Sequence, residues 1–299
     1  MHRLFPFLRW LPELRSRQVL RADLLAGITV AMVLIPQAMA YAELAGLPAV
    51  YGLYAAFLPP AVAALYGSSR QLATGPVAMA SLISAAAVQS IVPVGGEDYV
   101  AYAVLLALMV GVLRLVLGLL RLGLLVNLLS SPVVVGFTNA AALIIAASQL
   151  HKVFGIEAQG GDSYIEATFA VFALGLEHPH WPTLGMALCA GALLVLVRAY
   201  FPHLPHVLIA AAFTSTVAWL GDYDGAVVGE IPIGLPSFSA PAIQVDAVWA
   251  LLPGALTLTL IGLMEAMAIA KTIATHTKQR IDIDQELVGQ GLSNIVGGF

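Results

Sequence analysis

Long apolar stretches separated by short polar ones organise this chain. Apolar runs occupy 24–44, 50–66, 76–92, 100–120, 132–150, 183–200, 206–220 and 248–270, and a ninth begins near Glu286 and is still running at Phe299. About 20 apolar residues in a helix cross a bilayer core of ~30 Å. Most of these runs are apolar all round, so periodicity does not assign them a buried face. The stretch 164–176 differs: it is moderately amphipathic, which predicts a surface helix between the fifth and sixth spans. The pattern predicts an all-α polytopic membrane protein with about eight spans and the start of a ninth.

Composition supports that reading. Charged residues make up 10% of the chain and hydrophobic residues 60%, with mean hydropathy +0.91, whereas a soluble domain carries about a quarter charged residues. The single Cys189 excludes an intrachain disulfide. Residues 1–22 hold five Arg and several aromatic side chains, with no cleavable leader pattern, and are predicted to form a cytoplasmic amphipathic segment ahead of a transmembrane domain over 23–299. If residue 1 is inside and every run crosses once, 12 of the 13 Lys and Arg residues fall inside, leaving Lys152 outside, and 11 of the 17 acids fall outside. This distribution follows the positive-inside rule and predicts a multi-pass protein of the plasma (inner) membrane with a cytoplasmic N-terminus. The end at Phe299, inside an apolar run, predicts a truncated chain.

One stretch stands out for chemistry: Ala73-Thr74-Gly75-Pro76-Val77-Ala78. Pro76 suits a first helical turn, and 76–92 is 17 residues, or ~25 Å of helix at ~1.5 Å per residue. Such a helix is a marginal span whose N-terminus can lie within the membrane. There its free N–H groups and dipole attract an anion if they face a cavity. An ordinary short span with a Gly-Pro turn at its mouth fits the same residues.

Two further positions carry candidate roles. Glu265 is the only acid near the middle of a long apolar run, with apolar flanks and no Lys or Arg three or four residues away. A charge there is unfavourable by about 2.5–3.5 kcal/mol. It reads either as a coupling carboxyl for a proton or cation, or as a packed structural acid. Gln37 and Tyr41 share a helix face just after Pro36 and can bind an oxyanion or bond another helix. Arg114, Arg121 and Arg198 are expected to snorkel to the interface, and His178, His180, His203 and His206 to be surface histidines. No metal or phosphate-loop pattern, and no nucleophile–base constellation, is present, so neither a cofactor, an enzyme activity nor a nucleic-acid partner is expected.

The eighth run contains Glu265-Ala266-Met267-Ala268-Ile269-Ala270, which matches Gln37-Ala38-Met39-Ala40-Tyr41-Ala42 of the first at four of six positions. Seven crossings separate the two, so they run in opposite directions, as an inverted-topology repeat requires.

The chain resembles the SulP, or sulfate-permease-like, family of anion transporters. The resemblance rests on Asp23-Leu24-Leu25-Ala26-Gly27, Leu34-Ile35-Pro36-Gln37-Ala38-Met39-Ala40-Tyr41-Ala42, Gly46-Leu47-Pro48, Tyr51-Gly52-Leu53-Tyr54, Gly67-Ser68-Ser69-Arg70-Gln71, Thr74-Gly75-Pro76 and Gln285-Glu286-Leu287-Val288-Gly289-Gln290-Gly291-Leu292-Ser293-Asn294. It implies a first seven-span inverted repeat plus the start of a second, in a core and gate architecture, with span ten and a STAS domain beyond this chain. It also implies an elevator-like secondary transporter and a homodimer. By that resemblance Gln37, Tyr41, Thr74, Gly75, Val77 and Ala78 line the anion site, and Glu265 takes the cation-coupling position. The expected function is proton-coupled symport of a small inorganic anion, foremost sulfate. A sodium-coupled bicarbonate or dicarboxylate carrier and a non-transporting anion-binding scaffold or sensor are the alternatives.

Overall fold

The computed structural model describes residues 6–96, 98–123, 131–156, 164–202, 204–227, 234, 245–279 and 281–299. Every regular element among them is helical. Two short 3₁₀ turns, Pro6–Arg9 and Leu11–Arg15, precede α1 (Arg17–Leu44), α2 (Ala49–Ala55), α3 (Leu58–Tyr66), α4 (Ala78–Gln89), α5 (Tyr99–Leu119) and α6 (Ser131–Ser148). Then come α7 (Leu150–Phe154), α8 (Tyr164–Glu177), α9 (Trp181–Tyr200), α10 (His206–Leu220), α11 (Val245–Thr277) and α12 (Ile283–Gly297). Each apolar run of the sequence corresponds to a helix or a broken helix. The predicted amphipathic stretch is α8.

The boundaries differ from the sequence reading in three places, each for a local reason. α1 begins at Arg17, so the last residues of the expected surface segment are its first turns, and it stays helical through Pro36. The second run is divided at Ala56–Phe57 into α2 and α3, because the proline at the start of α3 favours a fresh helical turn over continuation. The third run starts as a helix at Ala78, not Pro76. Val77, a β-branched N-cap, has φ −134° and ψ 143° and stays extended. α4 therefore has 12 residues, ~18 Å of helix, well short of a ~30 Å bilayer core.

The chain forms two compact units. The first takes in Met1–Ala26, Gln37–Phe137 and Pro232–Phe299. Its core is built from Val88 of α4, Leu105, Leu106 and Val110 of α5, and Leu251, Ala255 and Leu258 of α11. α12 lies along α5 with backbones nearly touching. A Cβ on Gly291 would sit 2.6 Å from the Leu115 amide nitrogen, and one on Gly118 would sit 2.8 Å from the Asp284 carbonyl oxygen. Small residues at such crossings are how apolar helices associate without a hydrophobic driving force. α12 also docks on α3 and the turn after it. The Glu286 carboxylate, 2% exposed, accepts hydrogen bonds from the Ser68 and Ser69 amides at 2.8 and 3.0 Å, and Gln285 donates to the Tyr66 carbonyl at 2.7 Å. Two stretches 218 residues apart that resemble the family separately are therefore one contact.

The second unit, Gly27–Pro36 with Thr138–Ile231, contains α7 to α10. His180, expected to be a surface histidine, is part-exposed and sits at the centre of a polar knot. Its Nδ1 lies 2.7 Å from Thr183 Oγ1, its Nε2 lies 3.3 Å from Asp224, and Thr183 Oγ1 lies 2.6 Å from the Tyr223 hydroxyl. Large apolar side chains remain exposed along α1, α8 and α9, including Leu25, Phe169 and Val195, as expected for helices facing lipid. Among the described residues, five helical stretches are long and apolar enough to cross a membrane.

Candidate functional site

The first unit holds a partly open cavity of about 300 Å³, far larger than the ~10–15 Å³ a single water requires. One wall is the extended segment leading into α4: Thr74, Gly75 and Val77 line it, followed by Ala80, Ser81 and Ser84 of α4 itself. The first intrahelical bond of α4 runs from the Ser81 amide to the Val77 carbonyl at 3.0 Å, and Val77 has no side-chain cap. The amides of Ala78, Met79 and Ala80 are thus the open N–H groups of the helix start. This is the positive end of a short helix placed at a cavity, the arrangement that suits an anion.

The cavity lining also carries charge. Glu265 of α11 lines the cavity, and so does Arg114 of α5. The sequence reading placed Arg114 at the membrane interface; the fold turns it inward instead. Its Nη2 donates to the Leu258 carbonyl of α11 at 3.3 Å and its Nη1 to Gln290 Oε1 of α12 at 3.4 Å. Its buried Nε has no hydrogen-bond partner among the described residues. Gly262 makes room for the guanidinium, since a Cβ there would collide with it. Arg114 of α5 and Glu265 of α11 thus line one cavity from two different helices. Gln290, Ser293 and Asn294 of α12 complete the wall with neutral polar groups.

Of the residues expected in the site, Thr74, Gly75, Val77 and Glu265 are brought together around this cavity. Ala78 is the first residue of α4, between lining residues Val77 and Ala80. Gln37 and Tyr41 share a face as the spacing predicts, with the Gln37 amide donating to the Tyr41 hydroxyl at 2.7 Å, but neither lines the cavity. Sequence reasoning missed Arg114 and the polar face of α12. The signal available for the latter was Gln290, Ser293 and Asn294 at i, i+3 and i+4. For Arg114 there was none beyond a cation within an apolar run.

The family model described as the sulfate permease family matches residues 20–299. The chain belongs to the sulfate permease family. Sulfate transporter 4.1, chloroplastic, of Arabidopsis thaliana is 39% identical over 311 residues, covering 99% of this chain and 44% of that protein. This chain thus spans about half the length of the curated relatives it matches. The murine Slc26a9 anion transporter in its inward-facing state is similar with a TM-score of 0.88 and 28% identity, over 99% of this chain and 53% of that one. The transmembrane domain of the cyanobacterial bicarbonate transporter BicA is similar with a TM-score of 0.83 and 25% identity, over 93% and 71%. As a sulfate permease family member the chain is an all-α integral membrane protein, and its family is one of transporters rather than enzymes.

Proposed function

We propose that the full-length protein is a secondary active transporter that moves a small inorganic anion, sulfate first, together with protons. The observation that carries this reading is the cavity that Thr74, Gly75 and Val77, leading into a 12-residue helix, line together with Glu265. Open backbone N–H groups and neutral hydroxyls are donors for an oxyanion. A membrane-embedded carboxyl is the type of group that takes up a proton or ligates a cation. Gln37 and Tyr41 are assigned to the same anion path, and Ala78 contributes its backbone amide. The anion is carried by an elevator-like movement of the core against a gate, in a homodimer of the plasma or inner membrane with the N-terminus cytoplasmic. The domain division into a segment over 1–22 and a transmembrane part over 23–299 belongs to this reading.

Sulfate is favoured because the Arabidopsis relative is described as a sulfate transporter. A sodium-coupled bicarbonate carrier is the second reading, supported by the likeness to BicA. The deciding experiment is radiolabelled sulfate uptake into proteoliposomes holding the full-length protein, with an imposed inward proton gradient and with Gln37→Ala and Glu265→Gln alongside. Accumulation driven by the gradient and reduced by both changes supports the reading. Sodium-dependent bicarbonate uptake with no sulfate uptake replaces it by the second reading. Anion binding without movement of any anion replaces both by a sensor.

A further inference from the structure

Three guanidinium groups far from the cavity lining carry charge that the fold does not balance. Arg15 ends the second 3₁₀ turn, and Arg17 and Arg21 lie on the first turns of α1; all three are exposed. Glu13 is the one acid in the sequence from 6 to 22, and its carboxylate is taken by Arg70 in a bidentate pair at 2.8 and 2.9 Å. Among the described residues no acid pairs with Arg15, Arg17 or Arg21. Arg17 and Arg21 are also i, i+4 neighbours, so their like charges repel across one turn. The charge is held in place. Pro6 is buried, and the Arg70–Glu13 pair ties the 3₁₀ turns to the chain just after α3.

The same helix face sets what surrounds these groups. Steps of four, three and four from Arg17 give Arg21, Leu24 and Ile28, one stripe along α1. Leu24 and Ile28 are 56% and 57% exposed. In an integral membrane protein such a stripe meets hydrocarbon. At ~1.5 Å per residue, Arg21 stands about 4.5 Å and Arg17 about 10 Å beyond Leu24 along the axis. They therefore lie at the depth of the headgroups. Asp23, two residues after Arg21, is off the stripe. Leu8 and Leu11 on the 3₁₀ turns are exposed as well, so the segment has the apolar and cationic parts of an interfacial element.

We infer that Arg15, Arg17 and Arg21 form a binding surface for anionic phospholipids, whose headgroups they collect at the start of α1. A guanidinium fork fits a phosphate, and its aliphatic stem covers the apolar rim below. A zwitterionic headgroup offers the same phosphate but brings an ammonium into a field that is already positive. The net-anionic headgroup is thus the preferred one. This surface is separate from the anion cavity and does not depend on the transport reading. The competing account is a diffuse positive charge that selects no lipid at this place.

The test is the lipid selectivity of the full-length protein, equilibrated in mixed micelles of phosphatidylcholine and phosphatidylglycerol with equal acyl chains and then analysed for retained lipid. Wild-type protein should retain phosphatidylglycerol preferentially, and the preference should fall toward parity in 1 M salt, where the Debye length is about 3 Å. Each basic residue near an anionic headgroup contributes about fivefold. Arg17→Gln combined with Arg21→Gln should therefore lower the preference by up to about 25-fold. Arg17→Lys with Arg21→Lys, which keeps the charge, should retain most of it. Arg198→Gln with Lys278→Gln removes the same charge from exposed positions elsewhere and should leave the preference in place. A wild-type protein without preference, or an equal loss in the two glutamine pairs, overturns the inference. If the first glutamine pair does not yield folded protein, a wild-type preference that persists in 1 M salt, or one that vanishes in the lysine pair, overturns it equally. Sulfate uptake is not a readout here, so failure of the transport reading leaves these outcomes unchanged.

Discussion

Glu286 and Ser68, 218 residues apart, are joined by a 2.8 Å hydrogen bond from the Ser68 amide to the Glu286 carboxylate, and the Ser69 amide adds a second at 3.0 Å. Glu286, only 2% exposed, is held here by two main-chain donors and the Ser68 hydroxyl at 3.2 Å. Removing it leaves two part-buried N–H groups, and the Ser68 hydroxyl, without that acceptor. Glu286→Ala should therefore destabilise the protein by about 2–3 kcal/mol, and Glu286→Gln by less, because an amide oxygen still accepts one bond. Thermal unfolding of the detergent-solubilised protein measures both. A shift near zero for Glu286→Ala would show that water replaces the carboxylate.

The α5–α12 crossing makes a steric prediction. Gly291→Ala would gain helix propensity, but its Cβ would meet the Leu115 amide nitrogen at 2.6 Å and the Gly111 carbonyl oxygen at 2.9 Å. Those are backbone atoms, which move only if the helices separate. The net effect expected is a loss of about 1–3 kcal/mol, read as a lower unfolding temperature. An unchanged temperature would mean the two helices part freely.

Gln37 and Tyr41 separate binding from packing. Tyr41→Phe removes the hydroxyl that accepts the Gln37 amide at 2.7 Å. If the pair serves the anion path, sulfate KM should rise about 2- to 12-fold, the effect of one neutral hydrogen bond, with unfolding temperature nearly unchanged. A fall in stability with unaltered KM would assign the pair to helix packing instead.

The bidentate ion pair between Arg70 and Glu13, at 2.8 and 2.9 Å, lies at the surface with both side chains nearly half exposed. Glu13→Gln should change stability by no more than about 1 kcal/mol, and high salt should erase the difference. A larger effect, measured by unfolding at low and high ionic strength, would mean that this contact holds the N-terminal turns in place cooperatively.

Much of the architecture was legible in the linear pattern because a bilayer imposes it. Apolar runs long enough for a span have to become helices, since no other local structure satisfies their backbone in lipid. The runs around α1, α5, α9 and α11 accordingly became helices, with ends a few residues from those read. The Gly-Pro break ahead of α4 was also legible, though not the extended Val77 that shortens the helix. Thr74, Gly75 and Glu265, which line one cavity, stood out in the sequence because a break before an apolar helix and a lone acid within one are local anomalies.

What the sequence by itself determined was therefore the helical class, the membrane setting, and the residue types that stand out against an apolar background. The tertiary structure decided which of them meet. Arg114 is 151 positions before Glu265 and 176 before Gln290, and no periodicity relates residues on different helices. Glycines at 111, 118 and 291 let α5 and α12 approach closely, and Gly262 leaves room for the guanidinium beside α11. The same cation that reads as an interface anchor in one helix thus becomes an inward charge in the bundle. That outcome depends on the shape of the neighbouring helices, which one helix's sequence does not contain.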